Sequence, residues 1–167
     1  GIGWYIEEYG VAQISMNLTN INVTPLHIAF DACVESAQQR GIRVTGSEIV
    51  GMVPKRVLVE AGRYFLEKQK ASAGLSEREL MKLAVKTLGL EEFAPYPLDK
   101  KIIEYAIAKP QDSALTDLTV SGYADLTASE SPAPGGGSAS AAVGAFGTAL
   151  GVMVANLTSS KKGYEKH

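Results

Sequence analysis

Polar side chains at strand spacing are the first groups in this sequence that could handle a ligand. From Val11 to Leu18 the residues alternate, with Ala12, Ile14, Met16 and Leu18 on one face and Gln13, Ser15 and Asn17 on the other. Period two of this kind predicts a strand covered on one side. Amide and hydroxyl groups on the second face suit either a solvated surface or the polar wall of a cleft that hydrogen-bonds a ligand. Glu48, preceded by Ser47, is the one acid within an apolar strand-like segment. It reads either as a satisfied edge residue or as a carboxylate facing a ligand.

Other reactive residue types point more weakly to chemistry. His27 falls in the first turn of a predicted helix, where the helix dipole lowers the imidazole pKa and would suit a neutral donor. A lone histidine in that setting is more simply a structural or surface residue. Cys33 lies inside an apolar helical stripe, which marks a small core residue and not a nucleophile. Gly135-Gly136-Gly137-Ser138 precedes a helix and could hold an anion on backbone N–H groups. It lacks the Gly-Lys-Ser/Thr ending of a P-loop, so a plain hinge is the stronger account. With two histidines, no Cys/His cluster and no carboxylate pair at a diagnostic spacing, no metal is expected.

The elements that must position these groups follow from periodicity and punctuation. Thr24-Pro25 opens a helix as N-cap and first helical residue. Leu26, Ala29, Phe30, Cys33, Val34 and Ala37 then form its buried stripe, with Asp31, Glu35 and Gln38 on the wet side and Gly41 as its end. Ile42 to Thr45 and Ser47 to Val50 read as further strands. Pro54 starts a helix to about Gln69 that buries Val57, Leu58, Ala61, Tyr64 and Phe65. Ser76-Glu77-Arg78-Glu79 is a capping box, followed by Leu80, Leu83, Ala84 and Leu88 and stopped at Gly89. Asp99 can cap a short helix carrying Ile102, Ile103 and Tyr105, and 113–128 has a weaker helical spacing. The alternation predicts an α/β (α+β) fold: a mixed sheet with helices packed on one face, then a linker and an apolar helix from an all-α bundle domain.

The break is at Ser131 to Ser138, where two prolines and three glycines can continue neither helix nor sheet. Behind it Ala139 to Leu157 carries no charge and is mostly Ala, Gly and Val. Its length nearly meets the requirement for a membrane span, but small residues offer little to offset peptide burial in lipid, so a helix packed in a bundle or oligomer is expected. Three parts are thereby predicted: 1–110, a linker region 111–134, and 135–167. The sequence opens on Gly1 and not Met, and 135–167 reads as the unfinished start of a second module. A net charge of −2 and pI near 5.7 give no basic footprint for nucleic acid. One cysteine and no secretion signal fit a reducing, cytoplasmic setting.

Two sets of residues also resemble a known family. Gly3-Trp4-Tyr5, Ala12 to Leu18, Thr24-Pro25-Leu26-His27 and Thr45 to Pro54 resemble the carboxy-terminal subdomain of glutamate formiminotransferase. Ser131 to Ser138, with the small-residue helix and Lys161-Lys162, resembles the start of the formiminotetrahydrofolate cyclodeaminase domain. The two occur in this order in bifunctional formiminotransferase-cyclodeaminase. The resemblance implies a transferase and lyase of histidine degradation and one-carbon metabolism. Such an enzyme moves the formimino group of formiminoglutamate to tetrahydrofolate, then closes the ring to methenyltetrahydrofolate with loss of ammonia. It further implies tetrahydrofolate as co-substrate with no metal, a homo-oligomer, and a polyglutamate tail held partly by basic side chains, to which Lys161 and Lys162 could contribute, although surface solubility is the stronger account of that pair. The family's catalytic histidine and aspartate have no matching position here, so no catalytic residue is assigned and His27 is not promoted to that role. Gln13, Ser15, Asn17, Ser47 and Glu48 are the candidate folate-binding residues, chosen for strand-face polarity within the matched stretches. The alternative is a non-catalytic folate-binding or dimerisation module, and a third account makes the first part a scaffold for the cyclodeaminase.

Overall fold

In the computed structural model, which describes residues 1–108, 115–159, 161 and 163, the core is assembled by two helices crossing at a glycine. These are α2 (Lys55–Lys68) and α3 (Glu77–Thr87). Apolar residues recur on α2 at helical spacing, and Val57, Leu58, Ala61, Phe65 and Leu66 are buried. They meet Leu80, Met81, Ala84 and Leu88, with Val53, Leu90, Tyr96, Leu98 and Ile102 closing the cluster. Gly62 allows the approach. A methyl group there would collide with the main chain of Leu80, so the two helices meet backbone to backbone. Ser76 caps α3 by accepting from the Glu79 amide at 3.3 Å. Only that half of the expected capping box forms, because the Glu79 carboxylate accepts from Lys82 Nζ at 2.9 Å instead.

The chain divides into two compact units: Gly1–Lys68 with Leu75–Ala106, and Gln69–Gly74 with Ile107–His167. In the first, β1 (Ile2–Ile6) and β2 (Val11–Ser15) form an antiparallel hairpin, with Trp4 opposite Gln13 and Ile2 opposite Ser15. α1 (Leu26–Gln38) lies against α2, its Leu26 and Phe30 packed on the core. Thr24 does not cap it: the N-cap is Pro25, and the Thr24 amide is turned to the Asn20 carbonyl at 3.0 Å. At its far end the Ile42 amide reaches back to Ala37 across Gly41, whose φ of 69° suits only glycine comfortably.

The mixed α and β class is observed, with a smaller sheet than the sequence suggests. Residues 42–45 and 47–50 form no strands. Val44, Ser47 and Ile49 are half-buried while Thr45, Glu48 and Val50 are exposed, so the period of two reports an extended segment laid on helices. Its backbone groups go elsewhere, as with the Ser47 amide, which donates to the Gly89 carbonyl at 3.3 Å. Parallel pairing among the described residues is one bridge, Val53 to Ile102. That bridge splits the helix expected after Asp99 into α4 (Leu98–Lys101) and α5 (Ile103–Ala106), with Ile102 fully buried between them. Asp99 stands in the first turn of α4 and is not its cap, which is Pro97. β1 was not expected from periodicity. Gly10, at φ 64°, closes the turn that reverses the chain into β2.

In the second unit a 3-10 turn (Leu115–Asp117) precedes α6 (Val120–Thr127), capped by Thr119 through the Gly122 amide at 3.0 Å. The helix expected over 113–128 is thus shorter, and residues 113 and 114 lie outside the described ones. α7 (Gly136–Ser159) starts two residues before the expected cap Ser138 and runs for 24 residues. Its Asn156 amide donates to the Gly74 carbonyl at 2.8 Å.

Filling the helix crossing should separate α2 from α3. We expect Gly62→Ala to destabilise the chain by about 1–3 kcal/mol, the usual range for forcing extra volume into a packed core. Urea unfolding reads this directly, and a midpoint equal to that of the parent chain would show that the backbones are not in contact.

Candidate functional site

The hairpin places Gln13 and Ser15 on one face, together with Val11 and, from β1, Ile2, Trp4 and Ile6. Both polar residues are half-buried, and neither side chain is hydrogen-bonded to another described residue. Contrary to the expected polarity, this is the better covered face. Ala12 and Met16 are exposed, and Ile14 keeps 65% of its surface. Asn17 lies beyond the end of β2 and is exposed. The amide of Gln13 and the hydroxyl of Ser15, beside the Trp4 indole, can offer donors and acceptors next to a flat ring surface.

Ser47 and Glu48 lie on a different element. The Ser47 hydroxyl donates to the Leu88 carbonyl at 2.7 Å and so ties the extended segment to the end of α3. Gly46 sits where its own added methyl group would strike the Gly89 carbonyl, and Gly89 has φ 62°. The segment therefore approaches α3 more closely than side chains would permit. Glu48 points away, exposed and without a hydrogen bond or ion pair to any described residue.

A set of titratable groups that the spacing did not single out joins α1 to α2. Asp31, expected to be wet, is largely covered, with 14% of its side chain exposed. Its Oδ2 accepts from the Tyr64 hydroxyl at 2.6 Å and from Lys68 Nζ at 2.5 Å. His27 is the one buried residue of α1, and its ring lies 4.5 Å from that of Tyr64, tilted by 32°. Its Nδ1 is buried with no hydrogen-bond partner. Burial lowers the His27 pKa, outweighing the charges of Glu60 and Asp31, which raise it. For Asp31, burial acts to raise the pKa, but the hydrogen bonds from Lys68 and Tyr64 and the Lys68 charge win, leaving it lowered. The same bond to Asp31 raises Tyr64 and Lys68. In sequence these residues form only two separate i, i+4 pairs, His27 with Asp31 and Tyr64 with Lys68, and the spacing does not show that the pairs meet.

A groove of about 470 Å³ lies beside α3, lined by Lys82, Val85, Lys86, Glu91, Tyr96 and Leu98. The Tyr96 hydroxyl is closed off from solvent and has no partner, and burial pushes its pKa up. In the second unit, Gly136 to Ser138 form the start of α7, and the Ala139 amide bonds the carbonyl of Gly135, just before the helix, at 3.1 Å. Lys161 follows that helix, while Lys162 and His167 lie outside the described residues. No group of three or more metal-binding side chains occurs among the described residues.

A small α/β unit followed by a unit built on one apolar helix is the class these features define. Residues 1–108 match the model of the formiminotransferase domain, and residues 119–167 match that of formiminotransferase-cyclodeaminase. Across 99% of its length the chain is 39% identical to the formimidoyltransferase-cyclodeaminase of Mus musculus and 38% identical to that of Dictyostelium discoideum. It spans 30% and 31% of those proteins respectively. Half of it (50%) aligns at 33% identity with a glutamate formimidoyltransferase of Thermoplasma acidophilum, covering 28% of that protein. The chain belongs to the formiminotransferase-cyclodeaminase family.

The Ser47 hydroxyl should be needed for folding in its own right. Ser47→Ala leaves the Leu88 carbonyl without its side-chain donor and should destabilise by about 1 kcal/mol, the typical net value of such a bond. A shift of the urea midpoint measures it, and an unmoved midpoint would show that the bond contributes nothing in solution.

Proposed function

We propose that this chain forms part of a folate-dependent enzyme that transfers the formimino group of formiminoglutamate to tetrahydrofolate, with a cyclodeaminase half that releases ammonia to leave methenyltetrahydrofolate. The observation that carries this reading is the match of both family models, in order, along one chain. The relatives that share almost all of its length are named for both activities.

In the first reaction a C–N bond forms between a folate nitrogen and the formimino carbon, while the bond from that carbon to the glutamate nitrogen breaks. A base must take the proton from the attacking nitrogen, and hydrogen bonds must hold both substrates in line. The polar face of the hairpin suits the second task. Gln13 and Ser15, beside Trp4, make no side-chain hydrogen bond to another described residue, and Asn17 follows them past the strand end. Ser47 and Glu48 are assigned to the same tetrahydrofolate wall, with the Ser47 oxygen still able to accept. Gln13, Ser15, Asn17 and Ser47 carry neutral side chains that are poor proton acceptors, and Glu48 stands exposed on the 42–50 segment, off the hairpin. Catalysis is therefore assigned to no residue of this chain.

The division into 1–110, 111–134 and 135–167 completes the proposal, as a transferase subdomain, a linker and the opening of a helical domain. α7 is long and apolar enough to span a membrane by length and composition, with a mean hydropathy of 1.6 over its best window. Its Ala and Gly content favours close packing against other helices, so we assign it to a helical bundle. A cytoplasmic homo-oligomer with polyglutamated tetrahydrofolate as its co-substrate, and no metal, is the setting this implies. The second reading, a folate-binding or dimerisation module, is favoured by the lack of an assignable base.

Two measurements decide between these accounts. Calorimetry with tetrahydrofolate on the chain should give saturable heat, and Gln13→Ala with Ser15→Ala should weaken Kd by roughly 5- to 30-fold, as expected for two lost neutral hydrogen bonds. An unchanged Kd in the double variant would remove the hairpin from the site. Formiminotransfer by these 167 residues alone should be undetectable, and turnover would overturn the assignment of catalysis elsewhere.

A further inference from the structure

α1 is held differently from the other helices of the first unit. α2 and α3 bury whole apolar faces in the core, whereas the apolar stripe of α1 stays half-exposed and its one buried residue is the ring of His27. Leu26 and Phe30 pack partly on the core. Beside them, four polar side chains carry the docking. Asp31 takes two hydrogen bonds from α2, and Tyr64, which gives one of them, also stacks on His27. Lys68 Nζ, which gives the other, lies 5.6 Å from the centre of the Tyr64 ring. Pulling on any one of these groups disturbs the other three.

We propose that this cluster is an acid-released latch: protonation of His27 undocks α1 from α2 while α2 and α3 stay packed on each other. The inference does not rest on the folate reading. A positive charge on His27 would be created where Nδ1 is buried and has no acceptor. The charged groups acting on it are Glu60 from α2 and Asp31 on its own helix, while Lys68 acts on Asp31 and Tyr64, and Glu35, one turn beyond Asp31, acts on Tyr64 and Lys68. Tyr64 and Lys68 both bond Asp31 Oδ2, and His27 Nδ1 is not bonded to the carboxylate.

The sign follows from burial. Docking lowers the His27 pKa, so the released helix takes up the proton more readily and docking weakens as pH falls below the ordinary histidine value of 6.5. Asp31 acts in the same direction in a second, lower window, because docking lowers its pKa from the ordinary 3.8. Glu60 and Asp31 oppose the first step by stabilising the imidazolium, and burial outweighs them.

Native-state hydrogen exchange on the intact chain tests the latch, with rates corrected for intrinsic pH dependence. Between about pH 7.5 and about pH 5.5, protection of the α1 amides from Phe30 to Gln38 should drop by roughly three- to tenfold. Protection of Leu58 to Leu66 in α2 should hold. His27→Phe keeps a ring on Tyr64 and cannot be protonated, so its α1 protection should no longer depend on pH. Should that variant not fold, Tyr64→Phe keeps the stack and removes the bond to Asp31. It should lower α1 protection at both pH values and leave α2 unchanged. The proposal fails if α1 and α2 lose protection together, if α1 protection is flat with pH in the parent chain, or if its pH dependence survives in His27→Phe. It fails equally if Tyr64→Phe leaves α1 protection unaltered.

Discussion

The backbone contact between α2 and α3 at Gly62 is the constraint on which the first unit depends. Two helices that touch main chain to main chain bring their flanking side chains into one layer, so Leu58, Ala61 and Phe65 share a core with Leu80, Met81 and Ala84. The remaining pieces are pinned to that pair. Val53 and Ile102 lock the segments before α2 and after α4 together, and the Val53 amide and carbonyl bond Lys101 and Ile103 at 2.9 and 3.1 Å. A second glycine meeting, Gly46 with Gly89, then draws the 42–50 segment onto the end of α3.

Two kinds of attachment coexist in this unit. The helical pair is held by area removed from water, which involves no titrating group, and by the close fit at Gly62. α1 is held partly by directional bonds among Asp31, Tyr64 and Lys68, whose strength depends on charge state. The hairpin is held least by either means. Much of its apolar side, including Ile14 and Tyr5 at 65% and 62% exposure, meets solvent. An exposed sheet face of that composition is how a surface made for contact looks. The same description fits α7, with Phe146, Leu150 and Val154 each more than half exposed.

The candidate ligand wall shows how position modifies a reading based on residue type. Gln13 and Ser15 face the same way, and their side chains make no hydrogen bond to another described residue. Ser47 carries a structural bond to Leu88 alongside any contact with a ligand, and Glu48 stands exposed on the same segment. Chemistry that looked uniform as five polar residues in matched stretches is therefore divided between a half-buried strand face and a segment tied to the end of α3.

Sequence alone determined what local rules govern. The helices around Leu58, Leu80 and Ala142, the stops at Gly41 and Gly89, the cap at Ser76 and the break before Gly136 all follow from spacing, backbone freedom and capping, which act within a few residues. Family membership was equally legible, because long motifs kept their order. Tertiary structure decided the rest. Whether 42–50 became a strand depended on a neighbour to pair with, and its groups found α3 instead. Whether Asp31 was wet or latched depended on where α2 lay, since two i, i+4 pairs on different helices carry no local sign that they will meet. Hydrogen-bond partners distant in sequence are set by how elements pack, and no period along one element encodes them.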